Sequence, residues 1–369
     1  MRRVLVVCSR VGGGHVSAAR ALAEELEATG EASAKIVDAY VECARFPVTL
    51  FPALYARLAR HHPRLWSMVY HGSQGLDPKR VLGPFLKRGF RRLMAEARPD
   101  LVVSVLPGIN GLLADAAAAG GARFEVVLTD WHSVHSFWVA PGVAHYTTPT
   151  ESAREDCIRF GAPDSAVEVV GIPVRRAFAT VVDRASVRER CLSQRGGLDP
   201  TRFTVLAMVG AEGSPRALKN IARLAQVDRN LQMLVVCGRN AELRRQVEQL
   251  GSRTPVLAMG FVDNVAELMS AADMLVTKAG GLTLAEAFAC AVPIVVHDVL
   301  AGQEAGNLDY VLQRGAVEYA PNPDELARLS AELYDNPSRR AKLAERGARL
   351  ARPAAARRIA RALLARLGA

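Results

Sequence analysis

A histidine follows a run of glycines near the start of the chain, directly after an apolar stretch that is typical of a β-strand. Gly12, Gly13 and Gly14 precede His15, and the residues after it have helical composition. Glycines at a strand-to-helix turn adopt positive φ and let the backbone approach a ligand closely. The helix that follows directs its free N–H groups and its positive dipole end toward that ligand. An imidazole here can act as a general base, because its ordinary pKa of about 6.5 lies near working pH.

Two other interpretations of these glycines are weaker. A purely structural role for His15 also stays open. A dinucleotide site would need a third glycine where Ser17 stands, although Asp38 ends the next strand about twenty residues later, as such a site requires. A P-loop would need Gly-Lys followed by Ser or Thr, and no such sequence follows.

A second stretch, "TDWHSVHSFW", leaves another apolar run and contains Asp130, His135 and Trp138. Asp130 either orients a histidine or tunes its charge, or it is itself the base. The sequence therefore offers two candidate catalytic residues, His15 and Asp130.

A third stretch, "VTKAGGLTLAEAF", runs from a strand through Gly280 and Gly281 into a helix predicted to begin near Thr283. Thr283 and Glu286 have the spacing of a capping box. Alternatively, the N–H groups of the turn bind a diphosphate, Lys278 adds positive charge, and Glu286 accepts hydrogen bonds from a ribose diol.

Polar residues also follow the next strand, in "AGQEAGN", where Gln303, Glu304 and Asn307 are suited to sugar hydroxyls. The chain contains no D-x-D sequence and no His, Cys and Asp grouping with metal-ligand spacing. We therefore predict no metal, and expect helix dipoles and cationic side chains to neutralise a leaving diphosphate.

Near-continuous apolar strands alternate with helical stretches, and the alternation restarts in the second half of the 369 residues. Such strands are typical of parallel sheets covered on both faces. We predict an α/β chain with two doubly wound Rossmann-like domains, 1–172 and 173–350, and a C-terminal helix over 351–369. Because ligands of these sheets bind beyond the carboxyl ends of the strands, we expect a cleft between the domains.

The positive charge is concentrated in one segment. Residues 45–98 contain eleven Arg and Lys against two acidic residues, which is most of the formal net charge of +10. Aromatic residues such as Phe51 and Trp66 are interleaved with this charge, which favours an anionic membrane surface as partner. A solvated helical face is the alternative, and no nucleic-acid-binding signature accompanies the charge.

The six scattered cysteines include no CxxC pair, which is typical of reduced thiols in the cytosol. The first apolar run is too short for a signal peptide, and no stretch is long enough for a membrane span. We expect a cytoplasmic protein that associates peripherally with the inner face of the cell membrane.

Taken together, the segments "GGGHVSAARAL", "TDWHSVHSFW", "GIPV", "GFVDNVAELMSAADMLVTKAGGLTLAEA" and "AGQEAGN" resemble the monogalactosyldiacylglycerol synthase and processive diacylglycerol glucosyltransferase family of glycosyltransferase family 28. They occur in family order from near residue 8 to about residue 310. The resemblance implies a GT-B fold, a UDP-sugar held mainly by the second domain, and inverting, metal-independent transfer of a hexose to a lipid hydroxyl, with diacylglycerol as the expected acceptor. The UDP-sugar is a donor substrate, and no cofactor is expected.

The resemblance also implies roles for individual residues: His15 for the glycine-loop histidine, Glu286 for the ribose-binding acid, and Gln303 with Glu304 for the pair facing the sugar. The expected donor-binding set is Gly238, Phe261, Val262, Lys278, Gly280, Gly281, Leu282, Thr283, Glu286, Gln303, Glu304 and Asn307. The expected acceptor set is Gly12, Gly13, Gly14, His135 and Trp138, and the expected membrane set is Phe51, Trp66, Arg88, Arg91 and Arg92.

Several alternatives stay open at this point. The donor is UDP-glucose, UDP-galactose or UDP-N-acetylglucosamine. An N-acetylglucosaminyltransferase acting on a lipid-linked or other acceptor, a UDP-sugar epimerase on a similar scaffold, and a UDP-sugar-binding sensor without turnover are the competing functions.

Overall fold

The computed structural model describes residues 1–10, 13–180, 183–193, 198–210, 216–300, 302 and 304–368, except for the side chains of residues 56, 59 and 60. The chain divides into two compact units. The first comprises Met1–Arg176, Ala301–Asn307 and Arg352–Ala369, and the second comprises Ala177–Leu300 and Leu308–Ala351. Two short segments that are distant in sequence therefore belong with the N-terminal part.

The first unit contains a six-stranded parallel sheet. Its strands are β1 (Arg2–Cys8), β2 (Ala32–Asp38), β3 (Leu101–Ser104), β4 (Arg123–Val127), β5 (His145–Thr148) and β6 (Val167–Val169). They lie in the order β2-β1-β3-β4-β5-β6, and each neighbouring pair is parallel. The order reverses between β1 and β3, so the loops after these two strands flank the point where such sheets bind ligands.

Helices connect these strands and bury their apolar faces on the sheet. They are α1 (Gly14–Glu27), α2 (Phe51–His61), α3 (Pro63–Gly72), α4 (Pro78–Ala97), α5 (Asn110–Ala119) and α6 (Glu151–Arg159). Single helical turns span Ala39–Cys43, Val48–Leu50, Ser136–Trp138 and Asp164–Ala166. The buried core includes Val7 of β1, Phe90 of α4, Leu113 of α5 and Trp138. Trp138 thus joins the core to the loop that carries Asp130.

The second unit contains another six-stranded parallel sheet. Its strands are β7 (Phe203–Met208), β8 (Leu231–Val236), β9 (Val256–Met259), β10 (Met274–Lys278), β11 (Ile294–Asp298) and β12 (Glu318–Tyr319). They lie in the order β12-β11-β10-β7-β8-β9, and all neighbours are parallel. This order reverses between β7 and β10.

The remaining helices follow in chain order. They are α7 (Arg176–Ala179), α8 (Arg184–Ser193), α9 (Ala217–Leu224), α10 (Ala241–Glu248), α11 (Val265–Ala271), α12 (Gly281–Ala289), α13 (Ala305–Gln313), α14 (Pro323–Asp335), α15 (Pro337–Leu350) and α16 (Ala355–Gly368). The last helix belongs to the first unit, where Nη2 of Arg366 donates to Oε2 of the buried Glu125 at 2.8 Å. The two parallel sheets and the C-terminal helix confirm the predicted fold class.

Helix starts differ from the prediction at both glycine turns. Helix α1 begins at Gly14, so His15 lies in its first turn and does not end the loop. Helix α12 begins at Gly281, with Gly280 as its N-cap residue. Because Thr283 is inside this helix, the capping-box interpretation of Thr283 and Glu286 is wrong.

Within the described ranges, no helix combines the length and the apolar character needed to cross a bilayer. All six cysteines are free, and five of them are buried.

Candidate functional site

His15 is held at the point of the first sheet where the strand order reverses. Gly13, with φ of 76°, makes the turn into α1, as the glycine pattern predicts. The imidazole forms a hydrogen bond with the backbone of Val105, just after β3. The N–H of Val105 already donates to the carbonyl of Val7 at 3.0 Å, so the carbonyl of Val105 is the acceptor for His15. Gly12, also predicted for this loop, lies outside the described residues.

The free nitrogen of His15 is an acceptor. Its Nδ1 atom is buried and has no hydrogen-bond partner among the residues that the structure describes, so the nitrogen bonded to Val105 carries the proton. Burial lowers the pKa of His15 to about 4, and the bond to Val105 opposes this change. At neutral pH the ring is uncharged and its Nδ1 lone pair can take a proton, although with less driving force than an ordinary histidine.

Asp130 and His15 are neighbours of the same indole. Nε1 of the fully buried Trp138 donates to Oδ2 of Asp130 at 2.8 Å, and the Trp138 ring centroid lies 6.3 Å from that of His15. Burial raises the pKa of Asp130 to about 6, the bond from Trp138 lowers it, and the charge of Glu304 raises it further. The structure therefore brings together both predicted catalytic residues and Trp138.

Asn110 was not predicted and supports this arrangement. It begins α5, is 1% exposed, and donates through Nδ2 to the carbonyl of Trp138 at 2.9 Å. Its Oδ1 has no partner among the described side chains and backbone groups. A buried asparagine at the start of a helix gives no distinctive sequence signal.

His135, predicted for the acceptor site, is engaged within the fold. Its Nδ1 accepts from the N–H of Phe137 at 3.1 Å, so Nε2 carries the proton and donates to the carbonyl of Tyr70 at 2.9 Å. The Oγ atom of Ser73 lies 3.3 Å from the same Nε2. The histidine is buried and fastens the Asp130 loop to the end of α3.

Residues 304–307 of the "AGQEAGN" segment pack on the loop that carries Asp130. Asn307 accepts a hydrogen bond from the N–H of Trp131 at 2.8 Å, and the buried Glu304 lies close enough to affect the pKa of Asp130. Gly302, with φ of +87°, lies against the ring of Tyr70. Glu304 and Asn307 were predicted to bind the donor sugar, and the structure groups them with the first unit. Gln303 lies outside the described residues.

An aromatic cluster extends from these carboxylates to α2 and α3. Tyr55 meets Trp66 edge to face at 4.8 Å, and Trp66 lies 6.3 Å from Tyr70. Burial raises the pKa of Tyr55, with smaller contributions from the charges of Glu304 and Asp130. Trp66, predicted for membrane insertion, is thus packed between two tyrosines and only partly exposed.

The predicted diphosphate turn lies in the second unit, at the end of β10. The N–H of Gly280 donates to the carbonyl of Lys278 at 2.8 Å, and α12 starts at Gly281. The side chain of Lys278 lies over Gly210 just after β7, where a Cβ would be 2.7 Å from the lysine Cε. Lys278 is therefore placed where the strand order of the second sheet reverses, which is the expected ligand position.

The rest of the predicted donor set surrounds this turn or follows the neighbouring strands. Leu282 and Glu286 are buried in α12, and Thr283 is half-buried. Gly238, with φ of +60°, follows β8, and Phe261 follows β9 with 58% of its surface exposed. Val262 is half-buried beside it.

The ring of Phe261 is paired with a cation. The guanidinium of Arg239 lies 5.8 Å from its centroid. An exposed aromatic ring next to an arginine offers a flat surface on which a planar base can stack.

Exposed apolar side chains concentrate in one part of the first unit. Of the twelve large exposed apolar residues in the described chain, ten lie between residues 41 and 81. We call five of them, on and around α2 and α3, the apolar surface: Leu50, Leu54, Leu65, Met68 and Val69. Phe51, at the start of α2, is 38% exposed and packs on Tyr40 at 5.2 Å.

The predicted basic residues of α4 are exposed. Arg88 and Arg91 face solvent, as does Arg92, whose Nη2 also donates to the carbonyl of Glu42 at 3.0 Å. Its Nε lies 3.8 Å from Glu96.

No group of three or more His, Cys, Asp or Glu in the described ranges is placed to hold a metal ion.

Two family models match the chain in succession. Residues 15–174 match monogalactosyldiacylglycerol (MGDG) synthase, and residues 199–350 match glycosyl transferases group 1. The probable monogalactosyldiacylglycerol synthase of Glycine max chloroplasts is 30% identical, over 95% of this chain and 69% of that protein. The processive diacylglycerol beta-glucosyltransferase of Bacillus licheniformis is 26% identical, over 90% of this chain and 86% of that protein.

The fold has solved counterparts. HepE of Anabaena, in complex with UDP and glucose, superposes with a TM-score of 0.62 at 14% identity, covering 99% of this chain and 100% of that chain. This likeness confirms the GT-B fold.

Proposed function

The chain belongs to the monogalactosyldiacylglycerol synthase family, and from this premise we propose that it transfers a hexose from a UDP-sugar to the hydroxyl of diacylglycerol at a membrane surface. The observation that carries the proposal is the arrangement around Trp138. The Trp138 ring lies 6.3 Å from that of an uncharged His15, whose Nδ1 has no hydrogen-bond partner among the described residues, and its indole N–H donates to Asp130. This pair lies at the ligand-binding end of the first sheet.

In the proposed reaction the acceptor hydroxyl donates to Nδ1 of His15. Its oxygen attacks the anomeric carbon as the bond from that carbon to UDP breaks, and the proton passes to the imidazole. One displacement inverts the anomeric configuration. The ionised carboxylate of Asp130 stabilises the imidazolium that forms, as an anion near a developing cation does.

The second unit supplies the groups proposed to hold the nucleotide. The N–H groups at the start of α12 and the ammonium of Lys278 neutralise the leaving diphosphate. Glu286 accepts hydrogen bonds from the ribose, and Phe261 with Arg239 receives the uracil. The absence of a D-x-D sequence supports a transfer that needs no metal, and the UDP-sugar is the donor substrate with no further cofactor.

The first unit supplies the proposed membrane contact. The apolar surface enters the headgroup region, and the exposed arginines of α4 attract anionic lipids. This contact keeps the enzyme peripheral, on the cytoplasmic face of the membrane, and close to an acceptor that stays in the bilayer.

The test is a transfer assay with defined components. Purified protein is incubated with liposomes containing or lacking diacylglycerol and with UDP-glucose, UDP-galactose or UDP-N-acetylglucosamine, and the lipids are identified by mass. We expect a hexosyl-diacylglycerol only where diacylglycerol is present. UDP binding without any glycolipid would identify a sensor, an epimerised nucleotide sugar would identify an epimerase, and either result would overturn the proposal.

A further inference from the structure

A contact between residues far apart in the chain holds the backbone next to Asp130. Oδ1 of Asn307 accepts a hydrogen bond from the N–H of Trp131 at 2.8 Å, although the two residues are 176 positions apart. Asn307 is 1% exposed, so water does not compete for this bond.

The carbonyl of Trp131 is held as well. Oγ1 of Thr150 donates to it at 2.6 Å, and the same oxygen caps α6. Asp130 directly precedes this fixed residue, and its carboxylate is bound by Trp138. The backbone of Trp131 is therefore fixed on one side by α6 and on the other by Asn307.

Gly306 allows Asn307 to approach. A Cβ at Gly306 would lie 2.5 Å from the carbonyl oxygen of His132 and 2.7 Å from the Cβ of Ser133. Both distances are too short for any side chain, so only glycine permits this contact.

We infer that Asn307 is a positioning residue for Asp130, because its hold on the N–H of Trp131 sets where the Asp130 carboxylate stands relative to Trp138 and His15. The inference rests on the proposed function, in which that carboxylate takes part. The sequence pattern placed Asn307 among the donor ligands, whereas its Oδ1 serves the loop of the first unit. A displacement of about 1 Å at a reacting group costs up to about a hundredfold in rate.

Two substitutions of Asn307 separate positioning from donor binding. Asn307→Leu removes the acceptor, and we expect kcat to fall about tenfold to a hundredfold with the UDP dissociation constant within about twofold of wild type. Asn307→Asp keeps an acceptor oxygen, so kcat recovers at high pH. Its new charge, added to that of Glu304, raises the pKa of Asp130, so the rise of kcat with pH moves to higher pH.

A second measurement does not depend on turnover. The chain has three tryptophans, so the indole N–H region of an NMR spectrum contains three signals, and Trp138→Phe identifies the one bonded to Asp130. We expect this signal to titrate with a midpoint of about 6, the pKa of Asp130. The midpoint rises by about half a unit or more in Asn307→Asp, and falls in Asn307→Leu as the carboxylate gains access to water. Neither variant substitutes Glu304, Tyr55 or Tyr70, whose charges interact with Asp130, or His15, which shares the Trp138 ring with it.

Gly306→Ala tests the same contact if Asn307→Leu does not fold. We expect the same loss of kcat, while Gly83→Ala, whose Cβ would meet only Leu112 at 3.7 Å, serves as the matched control. A raised KM for the UDP-sugar with unchanged kcat in Asn307→Leu would make Asn307 a donor ligand and overturn the inference. An unmoved indole midpoint in both Asn307 variants would also overturn it. If the wild-type protein had no transferase activity but the indole midpoint still shifted in the Asn307 variants, only the proposed function would be contradicted.

Discussion

Trp138 donates its indole N–H to the carboxylate of Asp130 at 2.8 Å, and its ring lies 6.3 Å from that of His15. Burial shifts the pKa values of Asp130 and His15 in opposite directions, because it disfavours the charged form of each group. It raises the pKa of Asp130 to about 6 and lowers that of His15 to about 4. Above about pH 6 the two neighbours of Trp138 are therefore an ionised carboxylate and an uncharged imidazole, which is the state that the proposed reaction needs.

The pH profile of transfer follows from these values. Because the reaction needs the ionised carboxylate, kcat/KM should rise with pH through a limb near 6, the pKa of Asp130. Asp130→Asn should remove this limb and lower the plateau about a hundredfold, a typical loss for one electrostatic group. The measurement is kcat/KM between pH 4.5 and 9 with liposomes of constant composition. A limb that persists in the variant would have to come from another group.

Asp130→Asn should also stabilise the fold at high pH. The pKa of Asp130 is raised from 3.8 in the unfolded chain to about 6. The contribution of protonated Asp130 to the free energy of unfolding is thus fully present below about pH 4 and is lost as pH rises through about 6. At pH 8 the ionised form costs at most about 3 kcal/mol, which Asp130→Asn removes while keeping an acceptor for Trp138. Thermal melts at pH 4.5 and 8 test this, with Asp309→Asn, at an exposed position of α13, as control, and equal gains at both pH values would contradict it.

His15→Ala should abolish transfer and leave UDP binding nearly unchanged. The imidazole acts on the acceptor, whereas the groups proposed for the nucleotide belong to the second unit. Loss of a general base costs about a hundredfold to ten-thousandfold in rate. Turnover is measured with the liposome assay, and UDP affinity by calorimetry. His145→Ala, on β5, is the matched control, and turnover of His15→Ala within threefold of wild type would move the base to Asp130.

Local sequence features were sufficient to predict the fold. The run Val4–Val7 is fully buried in β1, as its continuous apolar character indicated. Gly13 adopts the positive φ that its place at a turn predicted. These features depend on residues that are near one another in the chain, so periodicity and glycine placement reveal them.

The contacts that build the candidate site join residues that are distant in the chain. Asn307 meets Trp131 across 176 positions, and Asn110 meets Trp138 across 28. No local pattern encodes such pairs, so the sequence assigned Asn307 to the donor and did not single out Asn110. The lowered pKa of His15 was unpredictable for the same reason, because desolvation depends on the packed surroundings.

Glu286→Ala should weaken UDP binding by about 1.5–3 kcal/mol, the usual loss for charge-assisted hydrogen bonds. Since α12 begins at Gly281, Glu286 lies beyond the first turn and does not cap the helix. Calorimetric titration with UDP and a thermal melt of the same variant separate ribose binding from a purely structural role of this buried side chain. Glu248→Ala, which removes an exposed acid of the same unit, is the control. A lowered melting temperature with unaltered UDP affinity would remove the ribose role.

Membrane attachment should depend on both charge and apolar contact. Reversing Arg88, Arg91 and Arg92 should reduce binding to anionic liposomes by at least about tenfold, because each basic residue near a charged surface contributes about 1 kcal/mol. Raising the salt concentration should have a similar effect, since such attraction is screened within about 10 Å at 0.1 M. Leu54→Ser with Met68→Ser should weaken binding in a way that salt does not reproduce, because these exposed side chains contribute through burial in the lipid.

Co-sedimentation with liposomes across a salt series measures all three effects, and UDP affinity should stay constant throughout. The matched control reverses Arg357, Arg358 and Arg361, three exposed arginines of α16, which changes the net charge by the same amount. Equal losses in the control and in the α4 variant would assign the attraction to net charge and not to this surface. Binding that ignores salt, charge reversal and the two serine substitutions would make residues 45–98 an ordinary solvated face.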